Sequence, residues 1–165
     1  MTRYPYVGPP EIAEGTRGDG PRGLIVRGGD VGALLEVLGE DPGAGRVTLT
    51  YTVGDDGDLR VASRHSEHVA CAGGVPVRAA GELTVVLVED VWEVEDVTNQ
   101  STGYCPEPTC WPAARDALER AGFTPPDAFT RAFVFRTCGA CGALQIVKES
   151  WFVCAECGED LPQGR

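Results

Sequence analysis

Lysine occurs once in this sequence, at Lys148, asparagine once, at Asn99, and histidine twice, at His65 and His68. Basic residues are scarce: 14 Lys and Arg face 25 Asp and Glu, for a net charge of −11. Such a balance argues against nucleic acid as a partner, because broad phosphate-backbone binding needs a basic surface. No apolar run approaches the roughly 18 residues of a membrane span. The opening MTRYPYVGPPEIAEGTRGDGPRG lacks the apolar core of a signal peptide, so the expected compartment is the cytoplasm and no membrane partner is expected. With its two histidines close together, the chain offers no convincing Ser-His-Asp or Cys-His-Asp order. Its seven cysteines are an odd number and cannot all pair within one chain; in a cytoplasmic setting Cys-x-x-Cys pairs read first as metal ligands or redox groups.

What is present suits a globular protein. A chain of 165 residues with 42% hydrophobic and 24% charged side chains can bury one ordinary core. Arginine in place of lysine, with abundant Ala, Gly, Val, Pro and Asp, is the usage of a GC-rich bacterial coding sequence. Breakers crowd the start (Pro5, Pro9, Pro10, Gly15, Gly18, Gly20, Pro21), which predicts an extended or mobile arm over residues 1–22.

A short strand is predicted at Leu24 to Arg27. A helix follows, with Asp30 as N-cap and Val31, Leu34, Leu35 and Leu38 at helical spacing before Gly39 and Pro42. The period then shifts from 3.6 to 2: RVTLTYTV, the turn GDDGD and LRVASRH make a hairpin signature with Val47, Leu49, Tyr51 and Val53 on one face. Further strands are expected at Pro76 to Ala80, Glu82 to Val88 and Val91 to Val97. The acidic run Glu89 to Asp96 alternates with apolar residues and reads as a solvated strand face. A second helix begins near Thr109 or Cys110, carries Pro112 in its first turn, lines one face with Ala114, Ala117, Leu118 and Ala121, and closes at Gly122. A strand over Phe129 to Arg136 leads into the last cysteines. Trp92, Trp111 and Trp151 are expected as packing anchors.

The densest chemical signal is Cys138-Gly-Ala-Cys141-Gly, a spacer of ten alternating residues bounded by Gly142-Ala143, then Cys154-Ala-Glu-Cys157-Gly. Two residues between paired thiols let the chain wrap one edge of a tetrahedron. A glycine just after the second thiol, Gly142 or Gly158, supplies the positive φ that such a knuckle requires. The spacer LQIVKESWFV predicts two short strands with a turn near Lys148 to Ser150. This pattern resembles the zinc ribbon family, with rubredoxin-like knuckles, over about Phe133 to Leu161. The resemblance implies one structural Zn2+ per chain held by Cys138, Cys141, Cys154 and Cys157. The same thiols could instead form a redox pair, two disulfides or an iron centre. Around them Arg131, Arg136 and Lys148 are offset by Glu149, Glu156, Glu159 and Asp160, which points to a protein-binding or stabilising ribbon more than to a nucleic-acid finger.

The middle of the chain gathers unusual polar residues. His65, Ser66, Glu82, Asn99, Ser101 and Tyr104 are candidates for a small-ligand or peptide pocket, with His65, Glu67, Glu82 and Tyr104 as catalytic candidates. The succession from His65 to Pro106 resembles a β-rich module of uncharacterised bacterial toxin-associated and conflict-system proteins. His65-Ser-Glu67 with Cys105 and Cys110 is also similar to the motifs of zinc-dependent deaminases. That likeness implies His65, Cys105 and Cys110 as ligands and Glu67 as proton carrier. Here four residues separate the cysteines where that family has two, and glycines follow Glu67 where it has a helix. A closed second metal site from His65, His68, Cys105 and Cys110 is another reading. Simple burial of Cys71, Cys105 and Cys110, or a Cys105–Cys110 disulfide, is a further one.

The expected fold class is α+β: an antiparallel β meander with two packed helices and a C-terminal zinc ribbon. The expected domains are an arm (1–22), an α+β domain (23–130) and the ribbon (131–165). The leading functional expectation is a small cytoplasmic zinc-binding adaptor in a bacterial conflict or toxin-related system. Its expected partner is a protein, with a small ligand as a second possibility. A deaminase-like or other hydrolytic enzyme is the alternative.

Overall fold

The computed structural model describes residues 1–16 and 20–164; Arg17 to Asp19, part of the expected arm, and Arg165 lie outside the described residues. The chain divides into two compact units, Met1–Ala132 and Phe133–Arg165, and is α+β.

In the first unit the element order is α1 (Pro10–Glu14), β1 (Leu24–Ile25), α2 (Gly32–Val37), β2 (Arg46–Val53), β3 (Leu59–Ser63), α3 (His68–Ala72), β4 (Ala79–Val88), β5 (Val91–Val97) and α4 (Trp111–Arg120). The five strands form one antiparallel sheet in the order β1-β3-β2-β4-β5. The predicted hairpin is there, with Val53 opposite Leu59 and Leu49 opposite Ser63. Spatial order differs from chain order by the exchange of β2 and β3, so that β1 pairs with β3. After β3 the chain runs through α3 and passes β2, so that β4 pairs with the far side of β2, Leu49 opposite Leu83.

A helix at His68–Ala72 is a correction, since Gly73 and Gly74 led us to expect none after Glu67. Gly73 instead takes a left-handed φ of 75° and ends that helix as its C-cap. The first residues are also more regular than their breakers predict. Pro10 opens α1, where a missing N–H costs nothing, and Tyr4, 3% exposed, bridges antiparallel to Val77.

The core surrounds β2. Val47, Leu49, Tyr51 and Val53 are buried as predicted, but Thr50 and Thr52 on the opposite face are buried too, so β2 is covered on both sides. On the threonine face the Thr52 hydroxyl lies 3.4 Å from Cys71 Sγ of α3, and the Thr50 hydroxyl donates to the Ser66 carbonyl at 3.3 Å. On the other face Tyr51 donates to the Thr98 carbonyl at 2.6 Å. Burial raises its phenol well above the ordinary value, with the Cys110 thiol at the head of α4 as the second cause. In α4 the residues Ala113, Ala114, Ala117 and Leu118 are buried, the small-residue face read from the sequence. The N-cap of α2 is Val31; Asp30, one residue earlier, accepts a bond from Gly32 N–H at 2.7 Å. Trp92 is buried, and Trp111 packs edge-on to Phe129 with ring centroids 4.9 Å apart. Among the described residues no helix is long and apolar enough to cross a membrane.

In the second unit β6 (Val134–Thr137) pairs antiparallel with β7 (Leu144–Val147), Phe135 opposite Ile146. The spacer LQIV therefore pairs back onto β6 rather than forward onto SWFV. Its turn lies where expected, with Glu149 and Ser150 at φ 52° and 59° and Trp151 N–H bonded to the Lys148 carbonyl at 2.9 Å. The small apolar cluster of this unit is Cys138, Cys154 and Leu161, backed by Val147 and Phe152. Trp151 is not a packing anchor: the turn leaves it 69% exposed.

Candidate metal centre

Each knuckle is built the same way. Gly142 N–H donates to the Cys138 carbonyl at 2.8 Å and Cys138 N–H to the Ala143 carbonyl at 2.9 Å. Gly158 N–H donates to the Cys154 carbonyl at 2.9 Å and Cys154 N–H to the Glu159 carbonyl at 2.8 Å. The glycines sit at φ 77° and 79°, the left-handed turn a Cβ would strain. The first knuckle closes the β6–β7 hairpin, while the second is closed by a single antiparallel bridge between Val153 and Asp160.

These turns bring the four Sγ atoms of Cys138, Cys141, Cys154 and Cys157 within 4.8 Å of one another. Across the knuckles Cys138 lies 3.7 Å from Cys157 and Cys141 lies 3.6 Å from Cys154. Four sulfurs each about 2.3 Å from one tetrahedral ion stand roughly 3.8 Å apart. Bonded sulfurs stand about 2.05 Å apart, so neither of these cross-knuckle pairs is a disulfide, and all seven cysteines are free thiols. Spacing and donor type both fit a soft tetrahedral metal. Backbone N–H groups of Cys141 and Ala140 draw the Cys138 thiol down to about 7, while Cys141 and Cys157 are raised, with bonds to neighbouring thiols among the causes; thiols this close ionise together only around a cation. A bound zinc would supply folding energy to this small unit, and with four protein ligands its coordination shell would be complete.

Sequence reading missed Gln145. From β7 its side chain reaches the opposite knuckle, where Nε2 donates to Cys154 Sγ at 3.1 Å and Oε1 accepts from Ala155 N–H at 2.9 Å. Both ends of one amide tie the first hairpin to the second pair of ligands. The available signal was periodicity, since Gln145 shares a strand face with Val147, which packs on the cluster.

Arg136 is withdrawn from surface chemistry. It is 8% exposed, donates to the carbonyls of Phe135, Pro162 and Gln163, and lies 5.8 Å from the Phe152 ring centroid. Among the described residues of this unit that leaves Lys148 as the exposed cation, against Glu149, Glu156, Glu159 and Asp160.

The central candidates are placed differently from either metal reading. Among the described residues the four-thiol set is the one group of three or more His, Cys, Asp or Glu placed to hold a metal. His65 lies exposed in the turn after β3, while His68 starts α3 and bonds through Nε2 to the Gly81 carbonyl at 2.8 Å. A carbonyl only accepts, so Nε2 carries the proton and donates. Burial lowers the His68 pKa below its ordinary value, opposed by the Gly81 bond and by the carboxylates of Glu82 and Glu67. Glu67 is exposed and Glu82 half-buried. Tyr104 is fully buried and donates to the Val75 carbonyl at 2.8 Å.

Cys105 Sγ donates to the Thr102 carbonyl at 3.4 Å. Cys110 belongs to the main core, and burial pushes its thiol up to about 12. Burial likewise raises Cys71 to about 11. The deaminase-like centre and the closed His–Cys centre are therefore corrected: His65 stays in solvent while the cysteines turn inward to backbone and core. Asn99 and Ser101 are buried and serve the loop itself, Asn99 donating to the Pro106 carbonyl and Ser101 Oγ accepting from Tyr104 N–H. Comparisons with protein-family models, with curated proteins and with solved structures find no match to this chain.

Proposed function

We propose that the protein is a zinc-stabilised binding module whose ribbon docks on a partner protein. The observation that carries this reading is a closed four-thiol site directly beside an exposed apolar face. Leu144 and Ile146 alternate outward on β7 at 45% and 38% exposure. The Lys148–Trp151 turn that follows β7 leaves Trp151 exposed as well. With four protein ligands the metal has no position for substrate, and an exposed Trp with aliphatic neighbours is the kind of anchor that interfaces use. Zinc is proposed over iron because a redox-silent ion suits a structural role.

The adaptor acts in the cytoplasm of a bacterium. A conflict or toxin-related setting rests on the resemblance of residues 65–106.

Elemental analysis of protein purified without added metal should find one zinc per chain, lost in Cys141→Ser. In-cell photo-crosslinking from position 146 should then trap a partner band. That band should vanish in Trp151→Ala and persist in His65→Ala and Glu67→Ala. A band lost in the latter pair, with Trp151→Ala unaffected, would move the function to the central segment.

A further inference from the structure

In the first unit β5 is an edge strand, and we infer that its Val91–Val94 edge binds an extended basic peptide as an added strand. Three observations converge there. A groove of about 420 Å³ is lined by Val91 to Val94 and by Gly122 to Thr124. Four consecutive strand residues can line one groove only if it runs along the strand's edge, because successive side chains point to opposite faces.

The backbone of that edge is available. The Glu89–Asp90 turn, at φ 50° and 65°, places Val88 opposite Val91, and Leu87 pairs with Trp92, Val86 with Glu93 and Val85 with Val94. A two-residue turn makes its flanking pair hydrogen-bonded, and bonding alternates from there. The N–H and C=O of Trp92 and Val94 consequently point away from β4, toward the groove. Past Val94 the edge closes: Glu95 forms an irregularity in the β4 pairing, and Thr130 N–H and Oγ1 bond the carbonyl and N–H of Val97.

Charge selects the occupant. Glu89, Asp90, Glu93 and Glu95 are exposed along this edge, and among the described residues Arg46, 2.6 Å from Glu95, is the one basic partner of the run. A second copy pairing through the same edge would bring these like charges together, which disfavours a dimer. A peptide alternating Lys or Arg with β-branched residues meets both demands: its cations face Glu93 and the Glu89–Asp90 turn, and its apolar side chains enter the groove beside Trp92 and Phe123. Strand addition takes affinity from main-chain bonds and selectivity from the alternate side chains. The inference concerns the first unit alone and stands or falls independently of ribbon docking.

The test is titration of the full-length, metal-loaded protein with a synthetic Lys-Val alternating peptide, and with a Glu-Val peptide as control, followed by amide NMR and hydrogen exchange. Binding of the basic peptide alone is expected, with new protection at the Trp92 and Val94 N–H groups. Val94→Pro removes one outward donor and should abolish binding while the amide spectrum of the sheet persists. Glu93→Lys with Glu89→Lys should exchange the preference to the Glu-Val peptide. Binding that survives Val94→Pro, protection that appears elsewhere, or a concentration-dependent dimer through β5 would each overturn the proposal.

Discussion

Gln145 shows how one uncharged side chain can govern a metal site. Turned over, its amide would aim Oε1 at the Cys154 thiolate and an N–H at the Ala155 N–H, two repulsions in place of two bonds. The observed orientation steadies the sulfur and spreads its charge. Hydrogen-bonding partners of metal ligands are commonly worth about 10–100-fold in metal affinity. Gln145→Leu should weaken zinc binding by about that factor in chelator competition, and Gln145→Glu by at least as much, since it adds negative charge beside the thiolates. His68 makes a second prediction at this scale. Its folded pKa lies below the ordinary 6.5, so the unfolded chain takes up the proton first as pH falls. Stability is therefore lost on acidification from about 6.5 down to the folded value and levels off below it. Urea midpoints taken on either side of that window should separate for the native protein and draw together in His68→Gln.

At the scale of elements, strands and helices with strong periodicity were readable: the Arg46–Val53 and Leu59–Ser63 hairpin and the alanine face of α4 lie where their patterns put them. α3 was not readable, because five residues are too few to establish a 3.6 period and the glycines after it look like a break. The knuckles were legible because ligand spacing and turn glycines are local. That the central His and Cys residues form no second metal cluster among the described residues was illegible, because orientation depends on which carbonyl each side chain meets, as Gly81 does for His68. Gly81 also carries an element-level prediction. A Cβ there would sit 2.0 Å from the Thr98 carbonyl oxygen, which already receives the Tyr51 hydroxyl. Gly81→Ala must push this backbone crossing apart and should cost about 1–3 kcal/mol in denaturant unfolding.

For the molecule as a whole, the two units differ in what holds them. The first has a large apolar core, whereas the apolar cluster of the second is Cys138, Cys154 and Leu161, two of them metal-site cysteines. Such a small cluster cannot offset the entropy of ordering its chain without the ion. Chelation should therefore collapse the amide signals of residues 133–164 while those of the five-stranded sheet persist, and zinc should restore them.

The passage of the chain across β2 has a kinetic consequence. Val53 finds its first partner, Leu59, across the short Gly54–Asp58 turn, but its second, Ala79, comes only after β3 and α3. The hairpin is thus a local nucleus, and seating β4 closes a longer loop. Until then the most buried strand of the protein has one side open, so the slow step of folding and the moment of greatest vulnerability to aggregation coincide at the arrival of β4.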